Sequence, residues 1–451
     1  MALQQKGMHG TWTSRWTFIM AATGSAVGLG NMWKFPYVAG SNGGGAFVLI
    51  YLGCILLIGV PVMMSEVLIG RNGRQSPINS MNEAVADSNA NSLWRCVGWL
   101  GVLAGLLILS FYAVIAGWAM DYIFLISSGE LQGVNGESAA AAFNSLLSDP
   151  SRLIFWQTIF MGLCVAVVVG GVKKGLGIAV ETLMPILFIM LLMLLGFAVI
   201  EGNFSAAVNF LFSFNLEALT WRGVLEAMGQ AFFTLSLGMG AIMTYGAYMP
   251  KDASILSSAT SIALIDTSMA LLSGLVIFPL VFANGLESSA GPGLMFVTIP
   301  IAFGSMSGGT FFGVMFFVLV SFAAITSAIS LVEPALAWVV EKLNTSRRNG
   351  AIVVCTIAWA LGLGSAFSTN IGSELYLLPG MTFFDSMDYV SNNIMLPLGG
   401  MLIALFTGWF LSQDIVARQL QISGGKLIMF KVLVRFVAPI GVGLVFINRF
   451  I

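Results

Sequence analysis

The sequence predicts an all-α polytopic protein that crosses a membrane about eleven times. Of its 451 residues, 58% are apolar and only 9% are charged, whereas about 25% are charged in an average soluble domain. A soluble fold of this size would lack the polar residues to cover its surface. The apolar residues form continuous runs of about 20 residues or more, which suit membrane helices, and not the alternating segments of a β-barrel.

The charge balance and the reactive side chains exclude several classes of protein. A net charge of −1 provides no basic surface for nucleic acid. The four cysteines lie in or beside apolar runs, which argues against a disulfide framework, and a single histidine argues against a zinc site. The first apolar run is long and no small-residue cleavage site follows it, so it predicts a span and not a signal peptide.

Eleven apolar segments are long enough to cross the bilayer as helices. They are approximately residues 15–40, 46–70, 93–127, 152–171, 177–200, 223–249, 254–283, 311–342, 350–368, 386–412 and 430–449. If the amino terminus is cytoplasmic, fifteen of the 19 lysines and arginines lie on the cytoplasmic side; the others are Lys34, Arg152, Arg222 and Arg449. This asymmetry predicts a multi-pass protein of the cell (plasma or inner) membrane with its amino terminus inside. Because the number of spans is odd, the carboxyl terminus is expected outside.

Two of these segments contain a glycine-rich interruption. The first reads GSAVGLGNMWKFP over residues 24–36, and the sixth reads FFTLSLGMGA over residues 232–241. Because they lie five spans apart, they enter the bilayer from opposite sides, which is typical of an inverted repeat with two discontinuous helices at the midplane. The alternative is two packing kinks, since small residues are common where membrane helices pack closely.

An interrupted helix inside the bilayer predicts ligand binding, because lipid cannot satisfy its freed carbonyls and amides. Carbonyls at the end of a half-helix bind small cations, and amides at the start of one bind a carboxylate. The adjacent Thr326 and Ser327 add hydroxyl oxygens that suit a hard cation such as sodium. Asp266 and Glu333 also lie within spans, where ionisable residues usually mark a pathway or an internal ion pair. Lys34 either joins such a pathway or extends its ammonium to the membrane surface.

Span 5 carries a glycine and a proline, Gly175 and Pro185, separated by nine residues. Pro185 removes one backbone hydrogen bond and crowds the preceding turn, and Gly175 has no side chain. The pair predicts local unwinding that opens a water path to a sodium site. The alternative is an ordinary proline kink.

Taken in order, these motifs resemble the neurotransmitter:sodium symporter family. The resemblance runs from about Trp12 to the tenth span and rests on GSAVGLGNMWKFP, NGGGAF, FFTLSLGMGA, GGTF and AAITSAISLVEP. It implies two inverted repeats of five helices, the LeuT-like fold, with helices 1 and 6 unwound at the midplane. The implied organisation is a cytoplasmic tail with the inner gate at 1–14, a first repeat at 15–200, an extracellular loop at 201–222, a second repeat at 223–412 with a lid at about 284–310, and an eleventh helix at 413–451.

The resemblance implies two sodium ions and the residues that bind them. The first ion is expected to bind the Ala26 carbonyl, the side chains of Asn31, Thr234 and Asp266, and the substrate carboxylate. The second is expected to bind the carbonyls of Gly24, Val27 and Ala323 and the hydroxyls of Thr326 and Ser327.

The resemblance also implies a substrate pocket between the two interruptions. The substrate carboxylate is expected to meet amides from Gly28 to Gly30 and the hydroxyl of Tyr112. Its amino group is expected to meet carbonyls near Ala26, Phe233, Thr234 and Ser236. Its side chain is expected to lie among Ile108, Phe232, Phe233, Met239, Ala328 and Leu331, with Phe233 as an aromatic lid.

Seven residues are similar to the gates of the family. Lys34 and Asp388 resemble the outer charged gate. The inner gate would use Trp12 and Glu341 with support from Tyr248 and Glu333, and His9 stands where the family usually has arginine.

Span 7 departs from the family pattern in a way that concerns anions. Where the family commonly has asparagine, the string ALIDTSMALLSG offers Asp266, and where chloride-dependent relatives have a serine it offers Met269 or Ala270. Two sodium ions and one carboxylate leave a net positive charge, which a low-dielectric site must offset. A fixed Asp266 carboxylate offsets it, so no chloride requirement is expected. Because such a carboxylate protonates readily without its cation, protons are expected to compete with sodium or to travel outward on the empty carrier.

The leading functional interpretation is a sodium-coupled symporter that imports aliphatic or aromatic amino acids across the lipid bilayer by alternating access. A charged substrate side chain is disfavoured because the pocket offers it no unpaired partner. The alternatives are a transporter of another small amine or amino-acid-like solute, or a channel, which would show a pore ring from several subunits. An enzyme is not expected, since no nucleophile, base and orienting group stand together. No nucleic-acid partner is expected, and the oligomeric state is left open.

Overall fold

The computed structural model describes residues 10–214, 219–286 and 293–450. Within these residues, nine continuous helices are long and apolar enough to cross a membrane. They are Gly45–Gly73, Ser92–Ser127, Pro150–Val169, Val172–Glu201, Ile255–Ala283, Gly309–Leu343, Arg347–Phe367, Phe383–Phe410 and Gly424–Leu444. Two further segments at the predicted spans 1 and 6 are each divided into two halves, so the prediction of an all-α fold with eleven spans is confirmed.

Span 1 loses its regular helix in the middle. Its first half is the α-helix Arg15–Ala26, after which Val27 adopts an extended conformation with φ −77° and ψ 97°. A π-helical turn follows at Gly30–Lys34, and the α-helix resumes over Phe35–Ser41. The extended residue ends the ladder of backbone hydrogen bonds, so carbonyls before it and amides after it are released.

Span 6 is interrupted between the helices Trp221–Thr234 and Ala241–Ala247. Three residues of the interruption, Ser236, Gly238 and Gly240, have positive φ angles of 54°, 77° and 75°. The two glycines reach this region without steric cost, whereas a serine there is uncommon and is held by its surroundings. The paired breaks in spans 1 and 6 agree with the prediction from their glycine-rich sequences.

Short π-helical segments also occur within the continuous spans. They are Ile55–Gly59, Val172–Gly177, Tyr389–Met395, Phe406–Phe410 and Leu433–Val437. The spans are connected by shorter helices and by one hairpin, namely Pro77–Asp87, Gly136–Ser148, Phe204–Phe212, Leu294–Thr298, Ile299–Ser305, Gln413–Leu420 and the strands Tyr376–Leu378 and Met381–Thr382. Of the predicted lid at 284–310, residues 287–292 lie outside the described residues, as does His9 of the predicted inner gate.

The broken spans lie in the interior of the bundle. Spans 3 and 8 pack along each other, and in each of them 78% of the apolar window is buried, against 22% in span 11. The first half of span 1 contacts spans 5, 7 and 8, and the second half of span 6 contacts span 2. Where spans 2 and 6 meet, a Cβ on Gly70 would lie 1.8 Å from the Met243 carbonyl oxygen. Glycine at this position therefore allows the two helices to approach closely. We call the face of the bundle at which span 1 begins the Arg15 face, and the opposite face the Ser41 face.

Candidate functional site

A small cavity lies between the two interruptions and spans 3 and 8. It is lined by Ser25, Ala26, Gly28, Leu29, Gly30, Ile108, Tyr112, Phe233, Ser236, Met239, Ser327, Ser330 and Leu331. Most of this lining is apolar, and the polar groups come from the broken backbone and from hydroxyls.

Nine of the residues predicted to bind substrate line this cavity: Ala26, Gly28, Gly30, Ile108, Tyr112, Phe233, Ser236, Met239 and Leu331. Three others lie outside the lining. The Phe232 ring packs on Gly400 of span 10, where a Cβ would lie 2.2 Å from it. Thr234 faces Asp266 in span 7, with its hydroxyl 3.0 Å from each carboxylate oxygen, and Ala328 is fully buried.

Backbone amides and one phenol meet at one end of the cavity. The Leu29 amide donates a hydrogen bond to the Tyr112 hydroxyl at 3.3 Å. A Cβ on Gly28 would lie 2.2 Å from Ser327 Oγ and 2.8 Å from Tyr112 Oη, so this approach requires glycine. Amides and a phenolic hydroxyl together provide donors of the kind that hold a carboxylate.

A carboxylate, an amide and a hydroxyl meet beside the cavity. Asn31 Nδ2 donates to Asp266 Oδ1 at 2.8 Å and to the Asp266 carbonyl at 3.0 Å. Thr234 Oγ1 lies 3.2 Å from Asn31 Oδ1 and 3.0 Å from each Asp266 carboxylate oxygen. All three residues are fully buried. The structure therefore brings together the side chains predicted for the first sodium site, and the Ala26 residue of that site lines the adjacent cavity.

The oxygens predicted for the second sodium site also converge. Ser327 Oγ lies 3.4 Å from the Gly24 carbonyl oxygen and 3.5 Å from that of Val27, and its shortest contact is with the Ser25 carbonyl oxygen at 3.0 Å. The neighbouring Thr326 hydroxyl donates to the Ala323 carbonyl at 3.0 Å. A Cβ on Gly24 would lie 3.5 Å from Thr326 Cβ, so the two spans touch here. Carbonyl and hydroxyl oxygens of this kind suit a hard cation.

At the Arg15 face, Trp12 packs against the end of span 6. Its indole Nε1 donates to the Tyr245 carbonyl at 3.1 Å, and its backbone amide donates to the Tyr248 carbonyl at 2.9 Å. The indole packs edge-on against both tyrosine rings, with ring centroids 5.3 and 5.9 Å apart. These contacts satisfy carbonyls at the end of span 6 and attach the start of span 1 to them.

A buried ion pair lies next to this contact. Glu333 accepts hydrogen bonds from Arg347 at 2.9 and 2.5 Å and from the Tyr248 hydroxyl at 2.8 Å. Glu341, one of the predicted gate residues, is bound instead by the start of the helix Pro77–Asp87, through Ser76 and through Asn79 at 2.5 Å. The described contacts of Glu341 are therefore made with the segment between spans 2 and 3.

The two residues of the predicted outer gate lie toward the Ser41 face. The Lys34 ammonium is 4.5 Å from the centroid of the Phe233 ring, a cation–π contact with the predicted aromatic lid. The Asp388 carboxylate accepts a hydrogen bond from Asn392 Nδ2 at 2.6 Å. Lys34 thus lies directly over the cavity residue Phe233.

The start of span 5 is irregular around Gly175. This residue lies within the π-helical segment Val172–Gly177, and a Cβ on it would lie 2.1 Å from the Val167 carbonyl oxygen. Pro185 lies inside the helix Ile178–Glu201. Its neighbour Met184 approaches span 1, since a Cβ on Gly24 would lie 3.3 Å from Met184 Sδ. Span 5 therefore touches the predicted second sodium site near its proline.

Two charged residues of this region were missed from the sequence. Glu66 in span 2 is fully buried and accepts a hydrogen bond from the Gly238 amide at 2.7 Å, so it binds the interruption of span 6. An ionisable residue within an apolar run was the available signal, the same one that indicated Asp266. Arg347 was interpreted only as a cytoplasmic positive charge, and no local pattern indicated its pairing with Glu333.

Comparisons with known proteins support the predicted resemblance. The model of the sodium:neurotransmitter symporter family matches residues 9–137 and 146–451. The solved structure of MhsT in complex with L-phenylalanine is 41% identical and superposes with a TM-score of 0.90, covering 97% of this chain and 99% of that chain.

Two bacterial relatives are similar over almost their whole length. The uncharacterized sodium-dependent transporter YhdH of Bacillus subtilis is 37% identical, with 97% of each chain covered. An uncharacterized sodium-dependent transporter of Haemophilus influenzae is 31% identical, with 97% of this chain and 98% of the relative covered. The chain is therefore a member of the sodium:neurotransmitter symporter family, a sodium-coupled membrane transporter with the LeuT-like fold and not an enzyme.

Proposed function

We propose that the protein imports aliphatic and aromatic amino acids together with two sodium ions. The observation that carries this proposal is the mainly apolar cavity between the broken helices, with amides and Tyr112 at one end and a buried carboxylate beside it. The MhsT structure supports an amino-acid substrate, because that related protein was solved with L-phenylalanine bound.

The proposed reaction cycle is alternating access in the cell membrane, with the amino terminus inside and the carboxyl terminus outside. The Ser41 face would then be extracellular, closed by Phe233 and Lys34 above the cavity, with Asp388 and the segment 284–310 contributing to closure. The Arg15 face would be cytoplasmic, closed by Trp12 and the Glu333–Arg347 pair. We retain the division into a tail at 1–14, repeats at 15–200 and 223–412 joined by an extracellular loop at 201–222, and an eleventh helix at 413–451.

We propose that span 5 unwinds between Gly175 and Pro185 to release sodium inward. The contact of Met184 with Gly24 supports this path, because unwinding there would expose the oxygens of the second site to cytoplasmic water. The irregular π-helical turn at Val172–Gly177 supplies a starting point, since such turns often accompany functional sites.

The proposed substrate class is tested by uptake into proteoliposomes against a panel of the twenty amino acids. We expect saturable accumulation of leucine, phenylalanine and similar solutes with an inward sodium gradient, and no accumulation when the gradient is collapsed. A preference for small amines over amino acids would identify the alternative solute class. A flux that does not saturate and needs only the ion would indicate a channel.

The two sodium sites are expected to respond differently to substitution. Asn31→Ala should weaken sodium and substrate binding together, because the substrate carboxylate is proposed to complete the first site. Thr326→Ala should mainly raise the sodium concentration needed for half-maximal uptake, by about tenfold if one hydroxyl ligand is worth about 1.4 kcal/mol. Sodium titrations of uptake, with the amino acid affinity measured in parallel, separate the two outcomes.

Ser321→Ala provides a matched control for these variants. Ser321 is a buried residue of span 8 whose hydroxyl donates only to the Phe317 carbonyl at 2.8 Å. Its removal should leave the sodium dependence unchanged. Unchanged sodium dependence in both Asn31→Ala and Thr326→Ala would contradict the assignment of two sites.

A further inference from the structure

Three serine hydroxyls from three different spans meet on one side of the cavity. Ser25 Oγ lies 2.7 Å from Ser330 Oγ and 3.1 Å from Ser236 Oγ. All three serines are buried, and all three line the cavity. We call Ser25, Ser236 and Ser330 the serine cluster. Among the three, only Ser236 was predicted to bind substrate.

The proton of each hydroxyl in the serine cluster is already used within the protein. Ser236 Oγ donates to the Ser25 carbonyl at 3.0 Å, and Ser330 Oγ donates to the Ser327 carbonyl at 2.7 Å. Because a carbonyl oxygen can only accept, these two protons are committed. The contacts between Ser25 and the other two hydroxyls must then use the single proton of Ser25.

The serine cluster consequently offers the cavity acceptors and no donors. A hydroxyl has two lone pairs, and none of the residues that the structure describes donates to Ser25 Oγ. The positive φ of Ser236, 54°, is uncommon for serine and is maintained here by its bonds to Ser25 and to the Phe233 carbonyl. The acceptor arrangement is therefore built by the fold of both interruptions, and it is not a chance contact of flexible side chains.

The serine cluster lies one helical turn away from the carboxylate end of the cavity. Ser327 is close to Gly28 and Tyr112, where the substrate carboxylate is proposed to bind. Ser330 is three residues further along span 8, about 5 Å toward the Arg15 face. Ser330 adjoins Leu331 and Ser236 lies three residues before Met239, two residues assigned to the substrate side chain, so the serine cluster borders the side-chain part of the cavity. Around it the cavity is apolar, with Met239 and Leu331.

We propose that the serine cluster is a specificity site for substrate side chains that carry a hydrogen-bond donor, such as an indole N–H or a phenol O–H. The inference rests on the proposed function and defines its substrate class more narrowly. Within the described residues Ser25 Oγ accepts no hydrogen bond, so filling the cavity with a side chain that lacks a donor leaves this oxygen unpaired, which costs about 1–3 kcal/mol. A site built to pair such a group discriminates strongly against analogues that lack it.

The test compares substrates that differ in this one donor. Tryptophan is compared with 3-benzothienylalanine, in which sulfur replaces the indole N–H, and tyrosine is compared with phenylalanine. Affinities are measured by competition against labelled substrate in proteoliposomes for the unmodified protein and for Ser25→Ala, Ser330→Ala and Ser321→Ala. Ser321→Ala is the control, because it removes a buried hydroxyl of the same helix that does not line the cavity.

We expect the unmodified protein and Ser321→Ala to prefer tryptophan over its sulfur analogue by at least tenfold. Ser25→Ala and Ser330→Ala should reduce this ratio to within about twofold, and phenylalanine affinity should not fall, because no acceptor is then left unpaired. Ser330→Thr keeps a hydroxyl and should retain the preference. Size-exclusion profiles and unfolding temperatures establish that each variant folds.

Two results would overturn this inference without contradicting the proposed function. An equal loss of affinity for all four amino acids would show that the cluster binds the ammonium group that they share. Accumulation of phenylalanine by the unmodified protein without any preference within either pair would show that the cluster does not select side chains. If the unmodified protein accumulates no amino acid under a sodium gradient, the proposed function itself fails, and the inference fails with it.

Discussion

Asp266→Asn is expected to abolish sodium-coupled uptake in a medium without chloride, with a loss of at least a hundredfold. Asp266 is fully buried and accepts hydrogen bonds from Asn31 and Thr234. Its carboxylate is the fixed negative charge that we propose offsets the second of two sodium charges. Without it, the occupied site would carry a net positive charge in a low-dielectric environment, which is costly.

The measurement is initial uptake with gluconate or chloride as the anion, at several pH values. We expect the unmodified protein to work equally well in both media, and protons to compete with sodium because both bind the same carboxylate. Asp266→Asn should either stay inactive or regain uptake only with chloride. Asp252→Asn removes an exposed carboxylate just before the same span and should behave as the unmodified protein does.

Two outcomes would contradict this role for Asp266. One is uptake by the unmodified protein that requires chloride. The other is an Asp266→Asn variant that transports normally in gluconate. Either result would mean that another group, or no group, offsets the sodium charge.

Glu333→Gln is expected to destabilise the protein by about 3–5 kcal/mol, the cost typical of breaking a buried ion pair. The Glu333 side chain is 0% exposed and that of Arg347 is 15% exposed. The substitution leaves the Arg347 guanidinium without its compensating charge and weakens the bond from Tyr248. Since these contacts join spans 6, 8 and 9 at the Arg15 face, we also expect this face to open more often.

Glu226→Gln is the matched control, since it makes the same change in an ion pair that is much more exposed, although Glu226 also accepts a hydrogen bond from Asn42. The Glu226 side chain is 32% exposed and that of its partner Arg222 is 86% exposed, and such pairs contribute only about 0–1 kcal/mol. The measurement is the unfolding temperature in detergent, together with labelling of a single cysteine placed on the Arg15 face. The double variant Glu333→Gln/Arg347→Gln should recover part of the lost stability because it removes the unpaired charge. Equal effects of Glu333→Gln and Glu226→Gln would contradict the importance of the buried pair.

The spans and their breaks were predictable because the bilayer makes them local properties of the sequence. Every backbone group within the hydrocarbon must be paired inside its own helix, so an apolar run of sufficient length indicates a helix without knowledge of its neighbours. The same rule makes the glycine-rich strings of spans 1 and 6 conspicuous. Both became interruptions, with Val27 extended and Ser236 at positive φ.

The orientation of adjacent side chains was not predictable in the same way. Phe232 and Phe233 are neighbours in the sequence, but the first packs on Gly400 in span 10 and the second lines the cavity. Both lie in the last turn of the helix Trp221–Thr234, where adjacent side chains point about 100° apart, but the helical period does not say which of them faces the cavity. The direction of each ring therefore depends on which neighbouring span leaves space for it.

The sequence by itself determined the number of spans, the two breaks and the oxygen-bearing residues beside them, since each depends on a few consecutive residues. Only the tertiary structure decided which of these residues meet. Ser25 lies 211 residues from Ser236 and 305 residues from Ser330, yet their hydroxyls are in contact, and Arg347 crosses a turn to reach Glu333. Such pairings follow from the packing of whole helices against one another, and no local pattern in the chain encodes the distance between side chains that far apart in sequence.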